Sequence, residues 1–178
     1  LRLRRKTLGP EHPQTLTSMN NLAEAYRNLD QLDKALPLLA ETVQLMKQKL
    51  GPEHRNVLVA MNNLATAYKD AGQLNQALPL LEETLRLRKD HLGPEHPDTL
   101  SSMNNLAMAY QDARRWEQAL PLLEETLTLG AAQLGPAHPH SLLVMHNLAT
   151  VRAQLGWMDE AQQLYEELLR LQKETLGP

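Results

Sequence analysis

The sequence contains no cysteine and no phenylalanine, and aromatic residues make up only 3% of its 178 positions. Without cysteine there is no disulfide, no thiolate metal site and no cysteine nucleophile, and a reducing, cytoplasmic setting is the natural expectation. Without large rings the core must be built from Leu, Ala and Met, residues that favour helix, as do Gln and Glu. No apolar run approaches the roughly 20 residues that span a bilayer, and the opening Leu-Arg-Leu-Arg-Arg-Lys-Thr-Leu-Gly-Pro lacks the apolar core of a signal peptide. No membrane partner is expected. A charge excess of one sign is missing too. Eighteen Lys and Arg against 21 Asp and Glu leave a net charge of −3, which gives a phosphate backbone little to hold. Nucleic acid is not an expected partner either. At 42% hydrophobic residues, the chain still has enough apolar material for a sizeable core.

What is present is a repeat. Leu-Gly-Pro recurs at 8–10, 50–52, 92–94, 134–136 and 176–178, always 42 residues apart. The divisions that follow are 1–7 as the end of a preceding second helix, repeats at 8–49, 50–91, 92–133 and 134–175, and 176–178 as the start of another connector. Leu16, Leu58, Leu100 and Leu142 keep this register, as do Ala35, Ala77, Ala119 and Ala161. The first residue is Leu, and both ends read as lying inside a longer array.

Each period reads as two amphipathic helices. In the first period, Leu16, Met19, Leu22, Ala23 and Tyr26 share one face of a helix over about 13–28. Ala35, Leu38, Leu39, Thr42, Val43 and Met46 share a face of a second helix over about 32–49. One hairpin cannot bury both stripes, so neighbouring hairpins must stack. The connector reads as stop, turn and start. Gly51 suits a left-handed position after a helix, Pro52 blocks continuation, and Pro97 in the next copy presets the first turn of the following helix.

Signs of chemistry are scarce. His12, His54, His96 and His138 hold one equivalent connector position, a whole repeat apart, and are read as packing the loop. His138 and His140 are the closest pair, but no cysteine or nearby carboxylate completes a tetrahedral set, so no metal is expected. Glu82-Glu83 and Glu124-Glu125 point in different directions from a helix and read as surface charge. No phosphate loop, nucleophile elbow or dinucleotide fingerprint occurs. The chain is accordingly expected to be non-enzymatic and to use no cofactor.

Asn-Asn-Leu-Ala-x-x-Tyr, then Ala-x-Pro-Leu, then Leu-Gly-Pro-x-His-Pro resembles the 42-residue tetratricopeptide repeats of kinesin light chains and nephrocystin-like proteins. The resemblance covers nearly the whole chain. It implies an all-α fold, a right-handed superhelical solenoid whose first helices line a concave groove, and a scaffold that holds a protein or a short extended peptide there. Related repeats use Asn side chains in that groove to hydrogen-bond a ligand's backbone. The first Asn position falls on Asn20, Asn62, Asn104 and His146, and the second on Asn21, Asn63, Asn105 and Asn147. An amide offers two donors and an acceptor, which matches a peptide unit. Asn is a poor mid-helix residue, so seven of them there ask for a reason. The alternative is that they bond neighbouring helices to one another and set the stacking register.

Helical spacing adds Glu24, Arg27, Thr66, Lys69, Met108 and Gln111 to the candidate surface, which is polar, mixed in charge and more apolar toward Leu143. Gln111 and Ala153 interrupt the Arg27, Lys69 series that a carboxylate clamp would need. Those two cations either attract an acidic segment or are simply solvated. Two further functions stay open. One is a structural spacer, with apolar ends able to stack copies end to end. The other is a sensor arm for an enzymatic domain outside this sequence.

Overall fold

In a computed structural model, described over residues 1–176, the chain is helical from end to end, with nine helices and no strand among the described residues. They are α1 (Arg2–Leu8), α2 (Pro13–Asn28), α3 (Leu32–Leu50), α4 (Arg55–Asp70), α5 (Leu74–Leu92), α6 (Pro97–Asp112), α7 (Trp116–Leu134), α8 (Pro139–Gln154) and α9 (Met158–Leu176). Short first helices alternate with longer second helices, as the two amphipathic stripes require. Of the connector expected at 176–178, the last two residues lie outside the described residues.

The chain divides into two compact units, Leu1–Leu87 and Arg88–Pro178. In the first unit α3 packs against both α2 and α4. Leu16, Met19 and Ala23 from α2 meet Leu39, Val43 and Met46 from α3 and Val57, Leu58, Met61 and Leu64 from α4 in one buried cluster. Each fully buried Leu or Met there contributes about 2 kcal/mol relative to an exposed one. In the second unit α7 packs against α6 and α8, and α8 against α9. Met145, Leu168 and Leu171 form a cluster there, with Leu127, Leu142 and Leu164 against it. Ala35, Ala77 and Ala119 are fully buried. Thr42, Thr84 and Thr126 are buried as well, and each hydroxyl donates to the carbonyl four residues earlier, at 2.6, 2.7 and 2.5 Å. The helices α3 and α7 run unbroken through Pro37 and Pro121.

The two kinds of link between helices use different backbone devices. Between a first and a second helix the chain reverses through one residue of positive φ: Asp30 at 56°, Gly72 at 71°, Arg114 at 57° and Gly156 at 84°. The connector glycine departs from expectation. Gly51 has φ 85° and ψ 154°, an extended positive-φ conformation essentially restricted to glycine, and not the left-handed helical one. The connector histidine also does more than fill the loop. His12, His54, His96 and His138 are the N-caps of α2, α4, α6 and α8, and each ring Nδ1 accepts a backbone N–H two residues on.

Candidate functional site

The candidate residues lie on the first helices, and each unit carries its own set. In the first unit Asn20 and Asn21 sit on α2 beside Glu24 and Arg27, with Asn62, Asn63, Thr66 and Lys69 on α4. Asn63 Nδ2 donates to Asn20 Oδ1 at 3.3 Å, joining α4 to α2. Asn20 is 9% exposed, whereas its neighbour Asn21 is open to solvent. The bond uses one donor of Asn63 and one lone pair of Asn20, and leaves the remaining amide capacity of both. Thr66 is turned inward along its own helix, its hydroxyl donating to the Asn62 carbonyl at 2.9 Å. Arg27 Nη1 donates to Asp70 Oδ2 at 3.0 Å, and Lys69 Nζ stands 3.5 Å from Asp70 Oδ1. The two cations are thus gathered on one carboxylate. Beside this surface Thr17, Asn20, Met46 and Val59 border a small cleft of about 220 Å³.

The second unit repeats the rung. Asn147 Nδ2 donates to Asn104 Oδ1 at 3.0 Å, joining α8 to α6. Asn104, only 4% exposed, also points an N–H at Met108 Sδ, 3.6 Å away. Asn62 and Asn105 are engaged as well. Gln111 Nε2 is buried and has no hydrogen-bond partner among the described residues. Such an orphan donor carries a desolvation cost. His146, in the first Asn position, lies edge-on to Tyr165 with centroids 5.8 Å apart. Tyr165 Oη is in turn 3.0 Å from Thr150 Oγ1. Leu142, Leu143, His146 and Leu168 border a larger, mainly apolar cleft of about 670 Å³.

Several residues that sequence reasoning passed over prove to be positioning groups. Arg5–Glu41, Lys47–Glu83 and Lys89–Glu125 pair at 2.8, 3.2 and 2.9 Å, each 36 residues apart. Two of the paired glutamates, read as plain surface charge, therefore tie helices together. Glu124 likewise pairs with Arg152 at 2.9 Å, which explains an arginine where the other repeats carry tyrosine. Arg88 is 5% exposed and donates to the Asp98 carbonyl at 2.7 Å and to Ser102 Oγ at 2.6 Å. Arg4 makes the equivalent bonds to the Gln14 carbonyl and Ser18 Oγ. The signal was present, since Arg and Ser recur together 84 residues apart. Among the described residues no group of three metal-ligating side chains comes together, and no helix is long and apolar enough to cross a membrane.

The tetratricopeptide-repeat family model matches residues 1–47, 18–90 and 98–174. The chain belongs to the tetratricopeptide repeat family. A crystal structure of a putative kinesin light chain from Podosopora anserina, with nearly identical repeats of this kind, is 36% identical, with a TM-score of 0.84 over 98% of this chain and 82% of that one. A single-substitution variant of that protein is 35% identical, with a TM-score of 0.87 and the same coverage. BtubC from P. vanneervenii shares the fold at 21% identity, with a TM-score of 0.84 over 92% of this chain and 65% of that one. No curated protein matches. The tetratricopeptide fold is an all-α, kinesin-light-chain-like repeat scaffold that generally mediates protein–protein interaction, which is the coarse role of this chain.

Proposed function

We propose that this tetratricopeptide chain is a non-catalytic, cytoplasmic scaffold whose first helices bind a short extended peptide of a partner protein, with a binding surface on each compact unit. The observation that carries the reading is the exposed amide of Asn21 on the polar face of α2, beside the Asn63–Asn20 rung, while the two rungs themselves join neighbouring first helices and set their register. A rung between largely buried amides fixes the offset of two first helices, so the exposed polar groups that would meet a peptide backbone are held in place beforehand. The open face of Asn21 supplies a donor and an acceptor to such a peptide. On the first unit, peptide side chains would then be sorted by the mixed-charge surface around Arg27 and Lys69, and on the second by the apolar cleft beside Leu143.

The test is an array of extended peptides of varied sequence, each roughly three helical turns' worth of residues long, presented to the wild-type chain and to Asn21→Ala. Each lost neutral hydrogen bond costs about 1 kcal/mol, so binding to any captured peptide should weaken at least about fivefold while helicity is unchanged. Equal binding by both proteins would remove that amide from the site. A second reading, end-to-end self-association, draws on the apolar cleft that leaves Leu143 48% exposed. Sedimentation at rising concentration decides it, since a constant monomer mass excludes it.

A further inference from the structure

The connector histidines form a system separate from the candidate peptide surface. In all four, the ring caps a first helix through Nδ1: to the N–H of Gln14 at 3.2 Å, Asn56 at 3.1 Å, Asp98 at 3.1 Å and His140 at 3.2 Å. The cap residues share one backbone conformation, with φ from −64 to −66° and ψ from 135 to 141°. An imidazole accepts at Nδ1 only while that nitrogen is bare; a charged ring is a donor at both nitrogens. A proton there breaks the cap, leaves an N-terminal N–H unpaired, and sets a positive ring at the positive end of the helix dipole. Asn, Asp, Ser or Thr would cap as well at any of these positions, but histidine is the residue that does so with a group titrating near neutrality.

We propose that the four connector histidines make this array acid-sensitive, each imidazole releasing the N-terminus of its first helix when it takes up a proton. The charges around them oppose the effect at one cap, that of His96, and are balanced or absent at the others. Glu11 and Lys49, of opposite sign, border the same cleft as His12, and Lys49 recurs in the later repeats as His91, Gln133 and Thr175. Glu53 and Arg55, again of opposite sign, flank His54, whereas Glu95 and Asp98 stand close to His96 in the chain. His138 is exposed and borders a cleft lined by Pro97, Leu100, Ser101 and Leu134 from α6 and α7, none of which titrates, and by His140. His140 adds to the effect in the last connector. Both its ring nitrogens are buried without a hydrogen-bond partner, with Nδ1 facing Gly130, so a second proton in this connector has no acceptor.

The experiment compares wild type with His12→Asn/His54→Asn/His96→Asn/His138→Asn, both carrying His140→Gln so that the buried ring does not contribute. Asparagine keeps a side-chain acceptor at the N-cap and does not titrate. Between pH about 7.5 and about 5.5, the thermal midpoint of the histidine protein should fall by roughly 10 °C, and that of the asparagine protein by less than half as much. Equal falls, or no fall in the histidine protein, would overturn the proposal. A second measurement needs no variant. In the wild-type chain, hydrogen-exchange protection of the Gln14, Asn56 and Asp98 amides should drop over this range while that of Met61 and Met103, in mid-helix, holds. Unchanged protection at the capped amides would equally refute it.

Discussion

Arg114 offers a sharp test of how the interhelical turn is built. Its φ of 57° puts a residue with a Cβ in the left-handed region, where two of the four equivalent turns use Gly72 and Gly156. That conformation costs a non-glycine residue about 1–2 kcal/mol through the approach of Cβ to the following carbonyl. Replacing Arg114 with Gly removes this cost but gives the unfolded chain extra freedom worth about 0.4–1 kcal/mol. The exposed Arg114 side chain forms no hydrogen bond or ion pair among the described residues, and the turn bond from its N–H to the Gln111 carbonyl, 2.9 Å, survives the change. The net expectation is a gain of about 0.5–1 kcal/mol, or an increase of roughly 1–4 °C in the thermal midpoint for a chain of this size. Asp30→Gly is the internal control. Its φ is 56°, but aspartate tolerates this region better, so its gain should be smaller. Urea unfolding of the two variants beside wild type gives the ranking. If Arg114→Gly is neutral or destabilised, or if Asp30→Gly gains more, the strain argument is wrong.

Gly130→Ala should stabilise α7, because an added Cβ meets His140 Nδ1 at 3.7 Å, Ser141 Oγ at 3.8 Å and Leu100 Cδ1 at 4.0 Å, all ordinary contacts. Up to about 1 kcal/mol of helix propensity is then available, and thermal melting measures it. Arg88→Ala should cost about 3 kcal/mol or more, because it opens a cavity around Ser102 and removes two buried hydrogen bonds. Arg88→Met with Ser102→Ala, the pairing found at Met46 and Ala60, should recover most of that loss in urea unfolding. His140 gives a pH dependence of defined sign. Burial, with a smaller contribution from the charge on His138, holds its pKa below the ordinary histidine value. The unfolded chain therefore takes up this proton first, and stability falls as pH drops from about 6.5 toward the lower folded value, with no effect above that window. His140→Gln should flatten this part of the profile and leave the slope due to the capping histidines.

The repeat made the fold legible. A 42-residue period with helical stripes left little choice but stacked hairpins, and α2 appears at Pro13–Asn28 where the stripe placed it. The candidate surface was legible only as a set of positions. The spacing put Asn20 and Asn63 on first helices, but whether one amide meets the other depends on the stacking offset, which sequence periodicity does not specify. For the same reason the ion pairs 36 residues apart were missed: cations at 5, 47 and 89 and glutamates at 41, 83 and 125 each keep the 42-residue period, but which of them meet depends on how second helices of successive repeats are offset. The histidine caps escaped for a chemical reason. The usual N-cap residues are short oxygen-bearing side chains, and the connector was read for its glycine and prolines instead of for an imidazole acceptor. The connector glycine was right in kind and wrong in conformation, because φ and ψ together, and not the residue alone, separate the left-handed helix from the extended positive-φ region.

The alternation of Arg4 with Ser18, Met46 with Ala60, Arg88 with Ser102 and Gly130 with Val144 has a consequence for how such an array can change length. Excising one 42-residue copy by recombination between neighbours would bring an arginine against Ala60 or Val144, or strand a serine hydroxyl against methionine. Excising two copies together returns arginine to serine and keeps the apolar side chains with one another. An array with this alternation keeps its matched side chains only when two repeats are gained or lost together, so the packing unit at this position is twice the unit of fold.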